Sequence, residues 1–240
     1  MDEFWTRLVR EPYIVTETPL YLVLYKPPRM HTVPLSNNKG NSLLDWVVVR
    51  FPEVREISGH KEIEGGILHR LDFETQGLLL CARTAETFQT FFNQQKSGNI
   101  IKEYEAVSHM GCTEILPGFP PSPAASVPEI ESAFRPFGEG RKAVRPVLPH
   151  DTRHKTDNLY RTEILSCIES EGRAFFNLRI NKGFRHQIRC HLAWIGRPIL
   201  NDDLYGSASS SGPGFLALRA SAISFIDPST SFRLRISAAK

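Results

Sequence analysis

Apolar residues in this chain come mostly in short runs, with a few stretches of helical period between them. Leu20-Tyr21-Leu22-Val23-Leu24-Tyr25 reads as a strand and stops at Lys26-Pro27-Pro28, where proline removes ladder donors. Leu43, Leu44, Val47, Val48 and Phe51 then recur at helical spacing, with Ser42 in the N-cap place and Asp45 three residues on. Phe88, Phe91 and Phe92 share one face of a second helix that Thr84 opens and Gly98 closes, a spacing that marks core. Ile100 to Val107 reads as a strand. Tyr160 to Ile168 and Arg173 to Ile180 read as a hairpin turned by Ser170-Glu171-Gly172. Ile188, Leu192 and Ile195 stripe a last helix that ends at Gly196, with Arg185 and Arg189 one turn apart along its edge.

Three stretches lack such order. Residues 1–18 have no clear periodicity and are expected to be an extension packed on a domain spanning 19–240. Residues 108–158 are basic and proline-rich, notably Pro117-Gly118-Phe119-Pro120-Pro121-Ser122-Pro123, and are expected to be a loop or insertion with an RNA-facing basic half. Ser207 to Gly214 reads as a flexible Ser/Gly loop.

One charged cluster interrupts the apolar pattern in a way that points to chemistry. In Gly65-Gly66-Ile67-Leu68-His69-Arg70-Leu71-Asp72-Phe73-Glu74-Thr75-Gln76-Gly77-Leu78-Leu79-Leu80 a carboxylate stands between two buried strand ends, with Thr75-Gln76-Gly77 as turn chemistry. Taken alone, Arg70 and Asp72 read as a structural ion pair.

Composition adds bounds. A chain of 240 residues, 41% of them hydrophobic and 23% charged, can bury a full core as one large domain or two small ones. No apolar run approaches the roughly 18 residues of a membrane helix and the start has no signal pattern, so a cytoplasmic protein with no membrane contact is expected. Cys81, Cys112, Cys167 and Cys190 are far apart, which argues against zinc or a disulfide framework. A metal site at His186, Cys190 and His191 is disfavoured for want of a carboxylate partner. The net charge of +3 is too mild to indicate nucleic acid by itself. Its distribution says more: Arg135, Arg141, Lys142, Arg145, Arg153 and Lys155 form one segment and Lys182, Arg185, Arg189 and Arg197 another, which together could track phosphates.

An opening strand and four motif blocks, in order along the chain, resemble the RluA-type pseudouridine synthases. His69-Arg70-Leu71-Asp72, two further residues and Thr75-Gln76-Gly77 match that family's His-Arg-Leu-Asp, two variable positions and Thr-Ser-Gly, with Gln76 in place of serine. Leu20 to Pro27 resembles its opening strand and Lys-Pro, and Lys102, Tyr104 and Ala106 its Lys-x-Tyr-x-Ala strand. Gly183, His186-Gln187-Ile188-Arg189, His191-Leu192, Gly196, Pro198-Ile199 and Asp203-Leu204-Tyr205-Gly206 resemble its third motif, with Phe184-Arg185 where Arg-Thr is common. Leu216-Ala217-Leu218 to Pro228 resembles its last block, with Arg219 for histidine.

The resemblance implies an α+β catalytic domain with an extended mixed, largely antiparallel sheet flanked by helices and loops and a central RNA cleft. It implies isomerisation of a specific uridine in structured rRNA or tRNA, with no cofactor and no metal. Asp72, Tyr104 and Arg189 would be catalytic. Asp72 would stabilise charge at C1′, form an adduct or take the C2′ proton, three routes that the residues leave open. Arg189 would hold Asp72 ionised, and Tyr104 would stack on the uracil and help remove the C5 proton. Arg70, His69, Leu218, His186, Gln187 and Lys102 would contact or frame the substrate. Too few residues precede the first block for the S4 domain that many relatives carry, so the catalytic domain, acting as a monomer, is expected to grip RNA itself. The rivals are a catalytically silent RNA-binding module on the same scaffold and a glycosidic-bond hydrolase, for which no water-activating group is identified.

Overall fold

The strands of the first half are laid out by which residues can be buried on both faces. The structure, a computed structural model, describes residues 6, 9–35, 40–59, 61–110, 116–123, 127–148, 158–206 and 214–239. The chain forms two units, Met1–Glu103 with Arg219–Lys240, and Tyr104–Leu218.

In the first unit β1 (Tyr13–Glu17) pairs antiparallel with β2 (Tyr21–Lys26), so part of the expected N-terminal extension is a sheet strand; the bulge between Ile14 and Thr16 breaks the alternation that would have marked it. β2 pairs antiparallel with β3 (Gln76–Ala82), and both are buried at every position. Val23, Tyr25, Leu78 and Leu80 face a core shared with Leu68, Phe88, Phe91, Ile223 and Phe225. Leu22, Leu24, Leu79 and Cys81, alternating with them along the strands, are buried too, which is why these strands read as unbroken apolar runs. Each such aliphatic or aromatic side chain contributes about 1.5–3 kcal/mol relative to exposure.

Helix α1 (Leu43–Arg50) starts at Ser42, whose hydroxyl accepts from the Asp45 N–H, and the short helix α2 (Glu53–Glu56) follows. Helix α3 (Ala85–Lys96) starts at Thr84, whose hydroxyl accepts from the Thr87 N–H, and buries Phe88 and Phe91. The unit is completed by β9 (Leu218–Ile226), which pairs parallel with β3, and β10 (Arg233–Ser237), antiparallel to β9. The unit boundary passes through β4 (Ile101–His109), after Glu103, and after the first residue of β9.

In the second unit the strand order runs β4, β8 (Arg173–Ile180), β7 (Tyr160–Ser170), β5 (Glu129–Phe137), β6 (Ala143–Val147). The β7–β8 turn is Glu171-Gly172, both at positive φ, as a two-residue hairpin loop requires. β5 and β6 correct the expectation of a loop or insertion over 108–158, since both lie inside it as an antiparallel pair joined to β7. The proline-rich run is also held in place: Trp194 Nε1 donates to the carbonyl oxygens of Pro120 and Pro121, and the Ser122 hydroxyl donates to the Trp194 carbonyl. Helix α4 (Gln187–Trp194) buries all but one of its residues rather than a stripe. It starts too late to include Arg185, which therefore does not lie on its edge. The expected Ser207–Gly214 loop lies, except for Gly214, outside the described residues, as do Arg153, Lys155 and Cys112. Among the described residues no helix is long and apolar enough to cross a membrane.

Candidate active site

The Asp72 segment is fixed by its neighbours in the first unit. Gly66–Leu68 runs antiparallel beside β3, with Ala82 N–H donating to Gly66 and Leu68 N–H to Leu80. His69 Nε2 accepts the Leu80 N–H at 3.3 Å, which ties the start of the Asp72 loop to β3. Asp72 follows, half-buried, and its carbonyl accepts the Thr75 N–H to close a tight turn before β3. Gln76 and Gly77 belong to the strand rather than to that turn: Gln76 Oε1 accepts the buried Tyr25 hydroxyl, and Gly77 at φ 124 lies so close to the Ala220 backbone that a Cβ would collide with it.

A second loop is stitched to this one. The Thr32 hydroxyl donates to the Leu71 carbonyl at 2.9 Å and accepts the Leu71 N–H at 3.1 Å. The carbonyls of His31 and Thr32 in turn accept the Leu43 and Leu44 N–H groups, two donors that the start of α1 would otherwise leave unpaired. Lys26, fully buried at the end of β2, donates through Nζ to the carbonyls of Pro27, Met30 and Phe73. Burial pushes its pKa down to about 7, while the negative charges of Asp72 and Glu74 pull it back up. Asp72 thus sits on a frame made by β2, β3 and the start of α1, with a buried amine in its electrostatic field. In the sequence Lys26 marks a strand end and matches the family's Lys-Pro.

Arg70 does not serve as the ion-pair partner of Asp72 that the spacing suggested. Its Nη1 donates to Glu64 Oε1 at 3.0 Å, with Glu64 buried and Arg70 mostly exposed. Lys102, two residues before Tyr104 and on the same buried face of β4, has its ammonium pushed down to about 8 by burial. Tyr104 is buried on that strand.

In the second unit Arg189 is held by a residue that sequence reasoning missed. Its Nε and Nη2 donate to the two oxygens of Asp202, at 2.8 and 2.7 Å, and its guanidinium lies 5.4 Å from the Tyr205 ring centroid. Asp202 Oδ1 also accepts the N–H groups of Leu204 and Tyr205. Asp203 had been matched to the family's acidic position; the carboxylate that grips Arg189 is Asp202. His186, in left-handed conformation before α4, lies 3.2 Å from the Tyr205 hydroxyl, which also accepts the Val144 N–H.

Gln187 was expected at the substrate but is buried, its amide donating to Arg161 O and Thr162 Oγ1 while its oxygen accepts the Phe184 N–H. It shapes the loop before α4. Leu218 is buried where β9 begins, next to Ala217, which is bonded to Val107 and Leu200.

The basic segments sort in the same way. Arg145 is buried, with its guanidinium 4.4 Å from the Phe119 ring and 4.2 Å from Phe137 and donating to Pro117 and Val144 carbonyls, so it does not face RNA as expected. Arg197 pairs with Glu169. Arg141, Lys142 and Arg185 are exposed, and Arg185 donates to the carbonyls of Arg141 and Ala143, which brings the two basic segments together.

Known proteins resemble the chain in sequence and in fold. Residues 20–194 match the family model described as RNA pseudouridylate synthase. The chain is 29% identical over 195 residues to ribosomal large subunit pseudouridine synthase D of Pasteurella multocida, covering 80% of this chain and 52% of that protein. It is 26% identical over 236 residues to the uncharacterized RNA pseudouridine synthase YjbO of Bacillus subtilis, covering 96% and 74% respectively. The chain spans about half the length of the synthase D relatives it matches. In fold it is similar to human RNA pseudouridylate synthase domain containing 1, with a TM-score of 0.64 at 20% identity over 97% of this chain and 84% of that one. With the family model covering well over half of its length, the chain belongs to the RNA pseudouridylate synthase family, as the RluA-type motifs led one to expect.

Proposed function

We propose that the protein is an RNA pseudouridine synthase that isomerises a uridine in structured RNA, with ribosomal RNA favoured over tRNA because the synthase D relatives are named for the large ribosomal subunit. The observation that carries this reading is Asp72: a half-exposed carboxylate on a frame tied by the Thr32, Lys26 and Thr75 hydrogen bonds, inside the block that matches the family. A carboxylate so positioned suits a reaction in which the N1–C1′ bond breaks, the uracil turns and a C5–C1′ bond forms. Charge develops at C1′, and a fixed anion there needs no reorganisation when it does.

In this reading Tyr104 stacks on the uracil and assists loss of the C5 proton, and Arg189, its fork oriented by Asp202, is the third catalytic residue. A paired or stacked uracil cannot reach a carboxylate in a loop, so the nucleotide is flipped out, at a cost of about a few kcal/mol that is smallest in loops. Arg141, Lys142 and Arg185 supply the cations for phosphate contact.

Mapping of pseudouridines in RNA from cells with and without the protein tests the reading. One or a few sites, concentrated in large-subunit rRNA, are expected to disappear when the protein is absent. An unchanged map would refute it.

A further inference from the structure

Next to Asp72 stands an aromatic side chain whose placement the core does not explain. Phe73 is 41% exposed, although the residues on either side of the turn, Leu71 and Thr75, are buried. It occupies one of the two variable positions between the family's Asp and Thr. A lone exposed apolar residue is ordinary. This one is held outward. Its carbonyl accepts Lys26 Nζ at 3.2 Å, the turn behind it is closed by Thr75, and its ring packs on His31 at 4.7 Å between centroids, tilted by 40°. His31 is itself fixed, because its carbonyl accepts the first N–H of α1 and its backbone bridges to Ser42. Turning the ring inward would give up its packing on His31, which is anchored at the start of α1. Beside it, exposed Arg29 pairs with Glu74 at 3.6 Å.

We propose that Phe73, backed by His31, is a stacking subsite for the nucleobase adjoining the flipped uridine. The inference rests on the reading given above and adds a contact outside the reacting nucleotide. Drawing a uridine out of a stack leaves its neighbour with one bare face. An aromatic ring joined through the backbone to Asp72 stands within one residue's length of the uridine's own position and can cover that face. Stacking of this kind tolerates any base, because every base has a π-face, and it is strongest for purines. The flanking His31, Arg29 and Glu74 make a polar rim, which suits a nucleotide better than an apolar protein partner.

The probe is a short single-stranded RNA with one uridine flanked on each side by fluorescent 2-aminopurine. Wild-type protein is expected to bind it and quench one of the two flanking bases. Phe73→Ala and Phe73→Leu are expected to weaken binding about 10-fold and to lose that quenching, whereas Phe73→Trp restores both. Thermal unfolding of each variant reports whether the loop is intact. Wild-type affinity and quenching in Phe73→Leu, or no quenching by the wild type, would overturn the subsite. Its failure is separable from failure of the enzymatic reading. Pseudouridine formed by wild type and by Phe73→Leu alike, with no change in quenching, removes the subsite and leaves the enzyme. Quenching that depends on Phe73 without any pseudouridine formed removes the enzyme and leaves the subsite.

Discussion

Arg189 and Asp202 form a two-pronged ion pair out of water: Nε to Oδ2 is 2.8 Å, Nη2 to Oδ1 is 2.7 Å, and the Asp202 side chain has no exposed surface. Removing one partner strands the other charge, which typically costs about 3–5 kcal/mol, so Asp202→Leu or Arg189→Met alone is expected to lower unfolding stability by about that much. Arg189→Met with Asp202→Leu together is expected to cost far less than the sum of the two single changes. Urea unfolding of the four proteins checks this, and additive losses would show the pair to be uncoupled.

Lys26 is expected to matter to the Asp72 loop more than to the β2–β3 sheet. Lys26→Met keeps the length of the side chain and leaves the Pro27, Met30 and Phe73 carbonyls without their donor, at about 1–3 kcal/mol for each group left buried and unpaired. Hydrogen exchange is expected to quicken at the Leu71 and Thr75 amides while those of β3 beyond Leu78 keep their order of protection. Equal acceleration throughout β3 would mean that Lys26 supports the sheet instead.

His191 couples the second unit to acid. It is completely buried between the hydroxyls of Ser132, 3.0 Å from Nε2, and Thr162, 2.9 Å from Nδ1, and burial pushes its pKa from 6.5 down to about 3. Between those two values the unfolded chain holds a proton that the folded chain lacks. Stability is therefore lost as pH falls below 6.5, by about 1.4 kcal/mol per pH unit, and no further below about 3. His191→Gln removes the titrating group, so its stability deficit against the wild type is expected to shrink as pH falls through this window. A constant deficit would contradict the assignment.

Neutralising Arg141, Lys142 and Arg185 together is expected to weaken RNA binding and to flatten the log–log salt dependence by about 2 units, at roughly 0.7 per single-strand phosphate contact. Arg145→Ala is expected to act differently, lowering thermal stability through lost packing on Phe119 and Phe137 and leaving the salt slope alone. A slope altered by Arg145→Ala in a folded protein would reverse the two roles.

The elements read most directly from the sequence are those whose signals are local. β2 follows from its apolar run, α1 and α3 from Ser42 and Thr84 as caps, and the β7–β8 hairpin from Glu171-Gly172. β5 and β6 were hidden by Pro136, Pro146, Gly138 and Gly140, which ordinarily mark loops. Their placement explains the tolerance. Pro136 lies beyond the Glu129–Ser132 stretch that pairs with β7, and Pro146 is in β6, at the end of the strand order, where a missing N–H leaves no partner waiting.

Asp72 was legible because its block is contiguous. Asp202 was not, since an ion pair thirteen residues apart has no signature when Asp203 stands beside it. Lys26 before two prolines reads as a strand end, and only the fold shows three carbonyls converging on its amine.

The central claim is that the Asp72 carboxylate performs the isomerisation, and Asp72→Asn tests it most directly because the amide keeps the shape and removes the charge. Pseudouridine formation is measured on an RNA that the wild-type protein modifies, with RNA affinity measured in parallel. Formation is expected to vanish while affinity stays within a few-fold of wild type, since the phosphate and stacking contacts are untouched. Turnover near the wild-type rate in Asp72→Asn would contradict the claim.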